Sequence, residues 1–466
     1  MKWKDIRLWI LFFFLLRLIG ITHPPLEVGH NWRQTTVTMV ARNFLEVNNN
    51  PFYPRVDMAG DLSGITGMEF PLLNYSIYLL SEVLGYQHWY GRAINLLISS
   101  LGLWYFFRLV RKYFTHDLAF YATLVLTVSV WFQFSRKVMP DTFSMSLILA
   151  GIYYGTNYLE ASVHQRKWPP LVAYAGLLLL GVLSKLPSGY LLVVLGGFVF
   201  QTTIPLQRKL VFALVSFLAL LPALGWYYYW VPHLVETFGF WHFFMGKSIG
   251  QGAQELVEHW PQVLRRFYGT ALHLVGFVVF LAGLGTALWR KEWKVIVVLA
   301  LSLFSFSLVV LKAGFTFAHH NYYIVPFVPV MALVAGYGLS QIKQAKVVWA
   351  VLLIIAVEGL ANQASDFRIK DKNLAMVQLE NDLDLVSERQ DRILINSGKY
   401  PTPLYFAHRK GWINTNAAIG DAAYLETLRA KGLKYIVILK RTFGQPMELS
   451  GHRKVLENEN YCIYQL

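Results

Sequence analysis

The sequence predicts an all-α, polytopic membrane protein of about 11 transmembrane helices that ends in a small soluble α/β domain. Its composition is 55% hydrophobic and 15% charged, with a mean hydropathy of +0.40. Such values are typical of membrane proteins. Apolar runs of membrane-spanning length recur through residues 1–364. From about residue 365 onward the composition becomes polar and charged, which indicates a separate domain over 365–466.

The apolar runs define the transmembrane topology. The predicted spans are 6–22, 92–110, 118–135, 142–159, 170–185, 188–204, 210–230, 269–289, 295–312, 322–340 and 347–363. The segments on the side of the N-terminus each hold at least two basic residues: Lys2, Lys4 and Arg7; Arg108, Arg111 and Lys112; Arg166 and Lys167; Arg208 and Lys209; Arg290, Lys291 and Lys294; Lys343 and Lys346. By the positive-inside rule the N-terminus is cytoplasmic and the C-terminal domain lies outside.

The first apolar run is an anchor rather than a cleaved signal peptide. Arg17 interrupts it, and no small-residue cleavage site follows. The net charge of +15 is largely explained by the basic inner loops, so no nucleic-acid partner is expected. The single cysteine, Cys462, excludes an internal disulfide framework and thiolate metal clusters.

A long outer loop over 23–91 separates the first two spans, and loops of this length are usually functional. Asn31 and Gln34 form a capping-box pattern, and apolar residues follow at helical spacing up to Glu46. This predicts an amphipathic helix in the outer interface, with a surface helix that merely covers the bundle as the alternative. The tail predicts strands at 392–396 and 433–439, a helix over 421–430 and a final strand in YCIYQL.

Ionisable residues concentrate in the predicted outer turns, where they are costly unless functional. They are Arg33, Asp57, Asp61, Glu69, Arg136, Lys137, Asp141, Lys185 and Lys247. The alternative is that the long side chains extend to the interface without a role. A carboxylate can act as a general base toward an acceptor, and Arg and Lys can neutralise a phosphate leaving group without a metal. Sugar transfer from a lipid phosphate on the outer face uses all of these groups.

Several short motifs occur in an order that resembles the GT-C glycosyltransferases. They are ARNFLE (41–46), EFPLLNY (69–75), MPD (139–141), SKLP (184–187) and HNYY (320–323). The pattern is most similar to the lipid A aminoarabinose transferases and dolichyl-phosphate-mannose protein mannosyltransferases, over about residues 1–340. The resemblance implies a GT-C-like fold and a polyprenyl-phosphate monosaccharide as donor. It also implies a bacterial cytoplasmic membrane and a lipid, glycan or protein as acceptor.

The resemblance also implies roles for individual residues. The family's EKP-type segment falls on Glu69-Phe70-Pro71, so the lysine that contacts donor phosphate in the family is Phe70 here. The family's outer aspartate falls on Asp141, and its lysine at the exit of the fifth span falls on Lys185. The first-loop acidic pair of the family falls on Arg33-Gln34, so the usual catalytic acid is absent from its place. Arg33 would then supply the positive charge missing at Phe70.

The expected assignments follow. The catalytic candidates are Asp57, Glu69 and Asp141, with Asp57 or Glu69 as base and Asp141 orienting the sugar or a basic partner. Donor phosphate is assigned to Arg33, Lys185, Arg136 and Lys137, and further substrate contacts to His320, Tyr322 and Tyr323. No cofactor is expected, and a divalent metal is not required. The expected partners are the polyprenyl-phosphate sugar, membrane lipid and the acceptor. The alternatives are a flippase or transporter of lipid-linked sugars, which would place polar groups along an inward pathway, and a non-catalytic scaffold.

Overall fold

The computed structural model describes residues 4–162, 168–240 and 246–466. Three of the basic residues used for the topology, Lys2, Arg166 and Lys167, lie outside this description. The chain forms two compact units. The helical unit comprises the described residues of 4–21, 92–229 and 246–364. The mixed unit comprises those of 22–91, 230–240 and 365–466.

Helices of several kinds build the helical unit. The α-helices are Ile6–Leu18, Tyr90–Tyr113, His116–Val128, Val130–Phe134, Pro140–Leu159, Trp168–Ser184, Leu206–Gly225, Ile249–Glu258, Trp260–Arg265, His273–Trp289, Trp293–Ala313, Phe315–His319, Val328–Ser340 and Ala345–Ala364. Two 3-10 helices, Leu186–Phe200 and Asn321–Phe327, and two π-helical segments, Trp226–Trp230 and Arg266–Ala271, complete it.

The prediction of about 11 spans is not confirmed by the described helices. Within the described residues, 5 helices are long and apolar enough to cross a membrane: Tyr90–Tyr113, Leu206–Phe238, Trp293–Ala313, Asn321–Ser340 and Ala345–Phe367. The number of candidate spans rises to six if one broken span is formed by Trp260–Ala271 and His273–Trp289, whose axes differ by 92°.

Breaks and short helices explain the lower count. Ser129 divides the predicted span 118–135, because its extended backbone ends one helix and its hydroxyl caps the next by accepting from the amide of Trp131. The predicted span 188–204 is the 15-residue 3-10 helix Leu186–Phe200. At about 2.0 Å per residue this helix is about 30 Å long, which matches the bilayer core despite its small residue count.

The mixed unit contains a five-stranded sheet. Its strands are β1 (Arg392–Ile395), β2 (Gly411–Ile413), β3 (Leu433–Leu439), β4 (Arg453–Glu457) and β5 (Tyr461–Gln465), in the order β2-β1-β3-β5-β4. β1 is parallel to β2 and β3, whereas β5 is antiparallel to β3 and β4. The predicted strands β1, β3 and β5 are confirmed, as is the helix Ala422–Ala430. The sequence did not predict β2, with its three residues, or β4, whose charged residues are typical of an edge strand.

The remaining elements of the mixed unit are helical. They are the α-helices Asn31–Glu46, Leu72–Leu84, Val231–Phe238, Asp371–Leu374, Leu379–Asp384, Thr402–Ala407, Asn416–Ile419 and Ala422–Ala430, with 3-10 turns at Ser365–Phe367 and Ala375–Gln378. Apolar residues of the first loop and of the tail share one core. The cluster includes Leu26, Met39, Val40, Phe44, Met376, Leu404, Tyr435 and Ile463.

The helix predicted after Asn31 exists, but its cap and its environment were predicted wrongly. His30, in a left-handed conformation (φ 63°), is the N-cap residue of Asn31–Glu46 and makes no side-chain cap. The Asn31 side chain instead donates to the Glu27 carbonyl and accepts from the Thr402 hydroxyl. Residues 33–42 of the helix are all buried, so it is a core helix rather than an amphipathic interfacial one.

Candidate active site

In the helical unit, Asp141 and Lys185 form a buried ion pair. Asp141 lies in the first turn of Pro140–Leu159, where the helix dipole stabilises a carboxylate. Lys185 precedes the 3-10 helix Leu186–Phe200 in an extended conformation. Its ammonium is 3.4 Å from Asp141 Oδ1, and the two side chains are 10% and 2% exposed. The predicted acid and base from distant turns are therefore in contact.

Aromatic side chains surround the same ammonium. Lys185 Nζ lies 5.4 Å and 5.7 Å from the ring centroids of Tyr322 and Tyr323, within range of cation–π attraction. His320 stacks on Tyr322 with 5.4 Å between centroids. The predicted substrate-contacting residues thus border the predicted phosphate-binding lysine.

Arg136 and Lys137 lie in the buried turn before Asp141. Arg136 donates to the carbonyls of Ile19 and Gly20, at 2.5 and 3.2 Å, just beyond the C-terminal end of Ile6–Leu18. The backbone of the turn is held by the Asn95 amide, which donates to the carbonyls of Phe134, Lys137 and Met139. The Arg136 guanidinium therefore already donates to two backbone carbonyls. Its assignment to the donor phosphate stays a prediction.

Three polar residues that hold this turn and the chain just after the first helix were not predicted from the sequence. Arg17 donates to the Ser135 hydroxyl at 2.5 Å, and Arg92 donates to the Ile21 carbonyl at 3.2 Å. Asn95 lies one turn after Arg92 on the helix Tyr90–Tyr113. The available signal was their position inside apolar runs, because polar residues there are costly unless they have partners.

Buried charge in the helical unit is strongly unbalanced. Five basic side chains of its described residues are buried: Arg17, Arg92, Arg136, Lys137 and Lys185. Asp141 is the one buried acidic residue in that part of the chain. The contacts above connect these residues through the turn 135–139 and the end of the first helix. Fixed positive charge in a low-dielectric environment interacts strongly with an anion.

In the mixed unit, Arg33 and Glu69 form the second predicted pair. Their ion pair joins the first turn of Asn31–Glu46 to the segment before Leu72–Leu84, with side chains 8% and 3% exposed. The resemblance assigned these residues to phosphate charge and to general base. Their contact is consistent with joint action.

Asp57, the other candidate base, has the contacts of a structural residue. Its carboxylate accepts from Arg42 at 2.9 Å and from Asn43 at 2.7 Å, and its backbone carbonyl accepts from the amide of Gly411. Arg42 also packs over the Tyr405 ring. Asp57 and Glu69 are thus both held by an arginine, and which of them acts as the base stays a prediction.

The sequence predicted that Arg33, Glu69, Asp141 and Lys185 gather at one cavity. The structure pairs Arg33 with Glu69 in one unit and Asp141 with Lys185 in the other. The convergence of the two pairs stays a prediction. Across the described ranges, no group of three or more His, Cys, Asp or Glu side chains is arranged to hold a metal.

The family model for dolichyl-phosphate-mannose-protein mannosyltransferases matches residues 69–229, which include Glu69, Asp141 and Lys185. No curated protein matches the chain by sequence.

Similar solved structures agree with this family match. ArnT from Cupriavidus metallidurans bound to undecaprenyl phosphate is 12% identical over 98% of both chains, with a TM-score of 0.61. The Archaeoglobus fulgidus oligosaccharyltransferase in complex with Zn and sulfate is 13% identical, with a TM-score of 0.59 over 92% of this chain and 67% of that one. Arabinofuranosyltransferase AftD from Mycobacteria is 12% identical, with a TM-score of 0.59 over 98% of this chain and 40% of that one. The chain therefore has a fold similar to that of these glycosyltransferases, and the family match over residues 69–229 agrees with the resemblance of its motifs.

Proposed function

We propose that the protein transfers a monosaccharide from a polyprenyl-phosphate donor to an acceptor on the outer face of a bacterial cytoplasmic membrane. The observation that carries the proposal is the buried Asp141–Lys185 pair, with Arg136 and Lys137 in the buried turn before Asp141. A phosphate leaving group gains negative charge as its bond to the sugar breaks, and fixed positive charge stabilises that change.

In the proposed reaction, the bond between the anomeric carbon and the donor phosphate oxygen breaks, and a bond from that carbon to the acceptor forms. The acceptor proton passes to a carboxylate, for which Glu69 and Asp57 are the candidates. Polyprenyl phosphate leaves with its charge balanced by Lys185 and Lys137, assisted by Arg136 and Arg33. Asp141 holds the Lys185 ammonium in place. His320, Tyr322 and Tyr323 form an aromatic wall for the sugar.

The identity of the donor is supported by similarity. The ArnT structure contains undecaprenyl phosphate, a polyprenyl phosphate of the proposed class. The Archaeoglobus fulgidus oligosaccharyltransferase has been solved with a tethered acceptor peptide, and matches this fold with a TM-score of 0.54. That acceptor is a peptide, and a lipid, a glycan or a protein acceptor each suits the proposal. The proposed orientation, with a cytoplasmic N-terminus and an external tail, follows from the basic residues of the alternate loops.

Transfer of labelled sugar in proteoliposomes tests the proposal. Purified protein is supplied with polyprenyl-phosphate sugars and candidate acceptors, and product is measured for Asp141→Asn, Lys185→Met and Glu69→Gln. We expect each variant to lose about 10²–10⁴-fold in kcat/KM, which is the usual range for acid–base and charge-stabilising groups. Asp117→Asn is the matched control, because Asp117 is half exposed and pairs with Lys4 at the surface.

Unchanged transfer by all three variants would reject the site. Movement of donor across the bilayer, with no sugar transferred to any acceptor, would reject the enzyme in favour of a lipid-linked sugar flippase.

A further inference from the structure

An apolar cavity of about 450 Å³ lies within the helical unit. Its walls come mainly from the helices Tyr90–Tyr113, Pro140–Leu159, Trp293–Ala313 and Val328–Ser340 and from the 3-10 helix Leu186–Phe200. The volume falls within the range of about 300–1,000 Å³ that is typical of small-molecule sites. Because most of the wall is aliphatic or aromatic, a ligand that fills the cavity must be apolar over most of its length.

The cavity is separate from the Asp141–Lys185 pair. Asp141 lies in the first turn of Pro140–Leu159, whereas the cavity borders Leu149, Ile152 and Thr156 of the same helix. At 1.5 Å per residue, Leu149 is about 12 Å and Thr156 about 22 Å further along the helix than Asp141. In the proposed topology this end of the helical unit faces the cytoplasm, opposite the candidate active site.

The cavity opens at this end and closes inside the unit. Lys294 and Gln201 are exposed, whereas Leu149 is 1% exposed. On the helix that begins at Trp293, the lining continues to Leu301, which is a depth of about 12 Å at 1.5 Å per residue. One leaflet of a bilayer has about 15 Å of hydrocarbon, half of the usual core thickness. The depth of the cavity therefore matches the chain region of a single leaflet.

Polar residues of the lining are confined to the open end. Tyr113, Thr156, Gln201 and Lys294 each lie at a helix end on that side or within one turn of it. No acidic residue is among the described residues that line the cavity, and Lys294 forms no ion pair within them. An exposed lysine at the level of lipid headgroups attracts anionic lipids. The mouth thus has the charge that suits a negatively charged headgroup.

We propose that this cavity holds one acyl chain of an anionic glycerophospholipid, whose phosphate lies beside Lys294. The chain supplies the van der Waals contacts that the walls of an empty cavity lack, and the lysine selects the headgroup by its charge. The occupant comes from the leaflet opposite the candidate active site. Its binding does not depend on sugar transfer, so the two proposals can fail separately.

Native mass spectrometry of the purified full-length protein tests the proposal. The protein is titrated with phosphatidylglycerol and with phosphatidylcholine of the same acyl chains. We expect saturable binding of one phosphatidylglycerol and weaker binding of phosphatidylcholine. Equal binding of the two lipids would overturn the role of the lysine. Displacement of bound phosphatidylglycerol by undecaprenyl phosphate would overturn the assignment of the occupant, because the cavity would then hold a polyprenyl chain.

Two neighbouring glycines provide a matched pair of variants. A Cβ added at Gly197 or at Gly196 meets no atom within 4 Å, but of the two only Gly197 lines the cavity. Gly197→Phe should therefore fill the cavity without a clash and abolish the saturable binding of phosphatidylglycerol. Gly196→Phe should leave that binding unchanged. Equal binding by Gly197→Phe and the unmodified protein would refute the cavity as the site.

A lysine variant tests the contact with the headgroup. Lys294→Gln should lower the preference for phosphatidylglycerol over phosphatidylcholine by about fivefold, the usual effect of one lysine near an anionic lipid surface. Lys346→Gln is the control, because Lys346 is exposed in a predicted inner loop and does not line the cavity. An unchanged preference in Lys294→Gln would refute the contact. Each variant is checked by gel filtration, and if Gly197→Phe aggregates, the preference of Lys294→Gln decides.

Discussion

At the scale of single residues, the Asp141–Lys185 pair links stability to the proposed chemistry. Removing one member leaves the other buried and charged, which costs about 3–5 kcal/mol in comparable sites. Asp141→Asn and Lys185→Met should each lower the thermal unfolding temperature of detergent-purified protein. The double substitution should recover most of that loss, because neither member of the pair is then left charged alone.

Sugar transfer should not recover in the double variant. The double variant is therefore expected to regain stability but not sugar transfer. Recovery of both would show that the pair is only structural. The sequence predicted that Asp141 and Lys185 lie at one site, because both follow helix breaks on the same predicted side of the membrane. Its supporting residues were not anticipated, since Arg17, Arg92 and Asn95 lie within apolar runs.

His408 provides a pH-dependent contribution to stability. Burial disfavours its charged ring, but hydrogen bonds to Glu380 and Glu46 outweigh burial and raise the pKa of His408 above its ordinary value. The folded protein therefore keeps a proton that the unfolded chain releases. This stabilisation is complete below the ordinary histidine pKa of 6.5 and is lost as pH rises through the raised value.

The unfolding temperature of the protein should thus fall as pH rises above about 6.5. His408→Asn should flatten that slope, and asparagine tolerates the left-handed conformation at this position (φ 48°). His452→Asn, at a half-buried histidine of the same unit, serves as the control. A slope that survives in His408→Asn would assign the effect to another group.

At the scale of elements, two helices of the helical unit cross at glycines. A Cβ added at Gly283 would lie 2.2 Å from the carbonyl oxygen of Val334, and one added at Gly338 would lie 2.7 Å from the Cα of Gly283. His273–Trp289 and Val328–Ser340 approach this closely because neither residue has a side chain. Small residues permit such backbone contact between membrane helices.

Gly283→Val should therefore separate the two helices and lower the unfolding temperature. Gly285→Val is a matched control, because a Cβ at Gly285 meets no atom within 4 Å. Equal effects of the two substitutions would show that helix propensity, and not the crossing, sets the cost.

Hydropathy predicted the location of most helices but not their continuity. The break at Ser129 and the 3-10 winding of Leu186–Phe200 depend on local hydrogen bonds, and neither changes the apolar character of the sequence.

For the helix Asn31–Glu46, the sequence predicted the helix but not its burial. Its polar residues suggested exposure to an interface, but Arg33, Gln34 and Arg42 are buried because they find partners at Glu69, Glu27 and Asp57. Sequence alone does not reveal such partners.

At the scale of the whole molecule, the predicted topology can be tested with cysteine labelling. In a Cys462→Ser background, Lys399→Cys and Lys343→Cys each introduce one exposed thiol, in the tail and in a predicted inner loop. A membrane-impermeant maleimide should label Lys399→Cys in cells with a permeabilised outer membrane. Lys343→Cys should be labelled only after the inner membrane is broken. The opposite pattern would invert the proposed orientation.

The core shared by the first loop and the tail has a consequence for biosynthesis. Leu26, Met39, Val40 and Phe44 leave the ribosome more than three hundred residues before Leu404, Tyr435 and Ile463, which cover them in the finished protein. Contacts between segments so far apart in sequence form slowly, and the early segment keeps apolar surface exposed while it waits. A chain truncated before residue 376 would leave that surface without the residues that cover it.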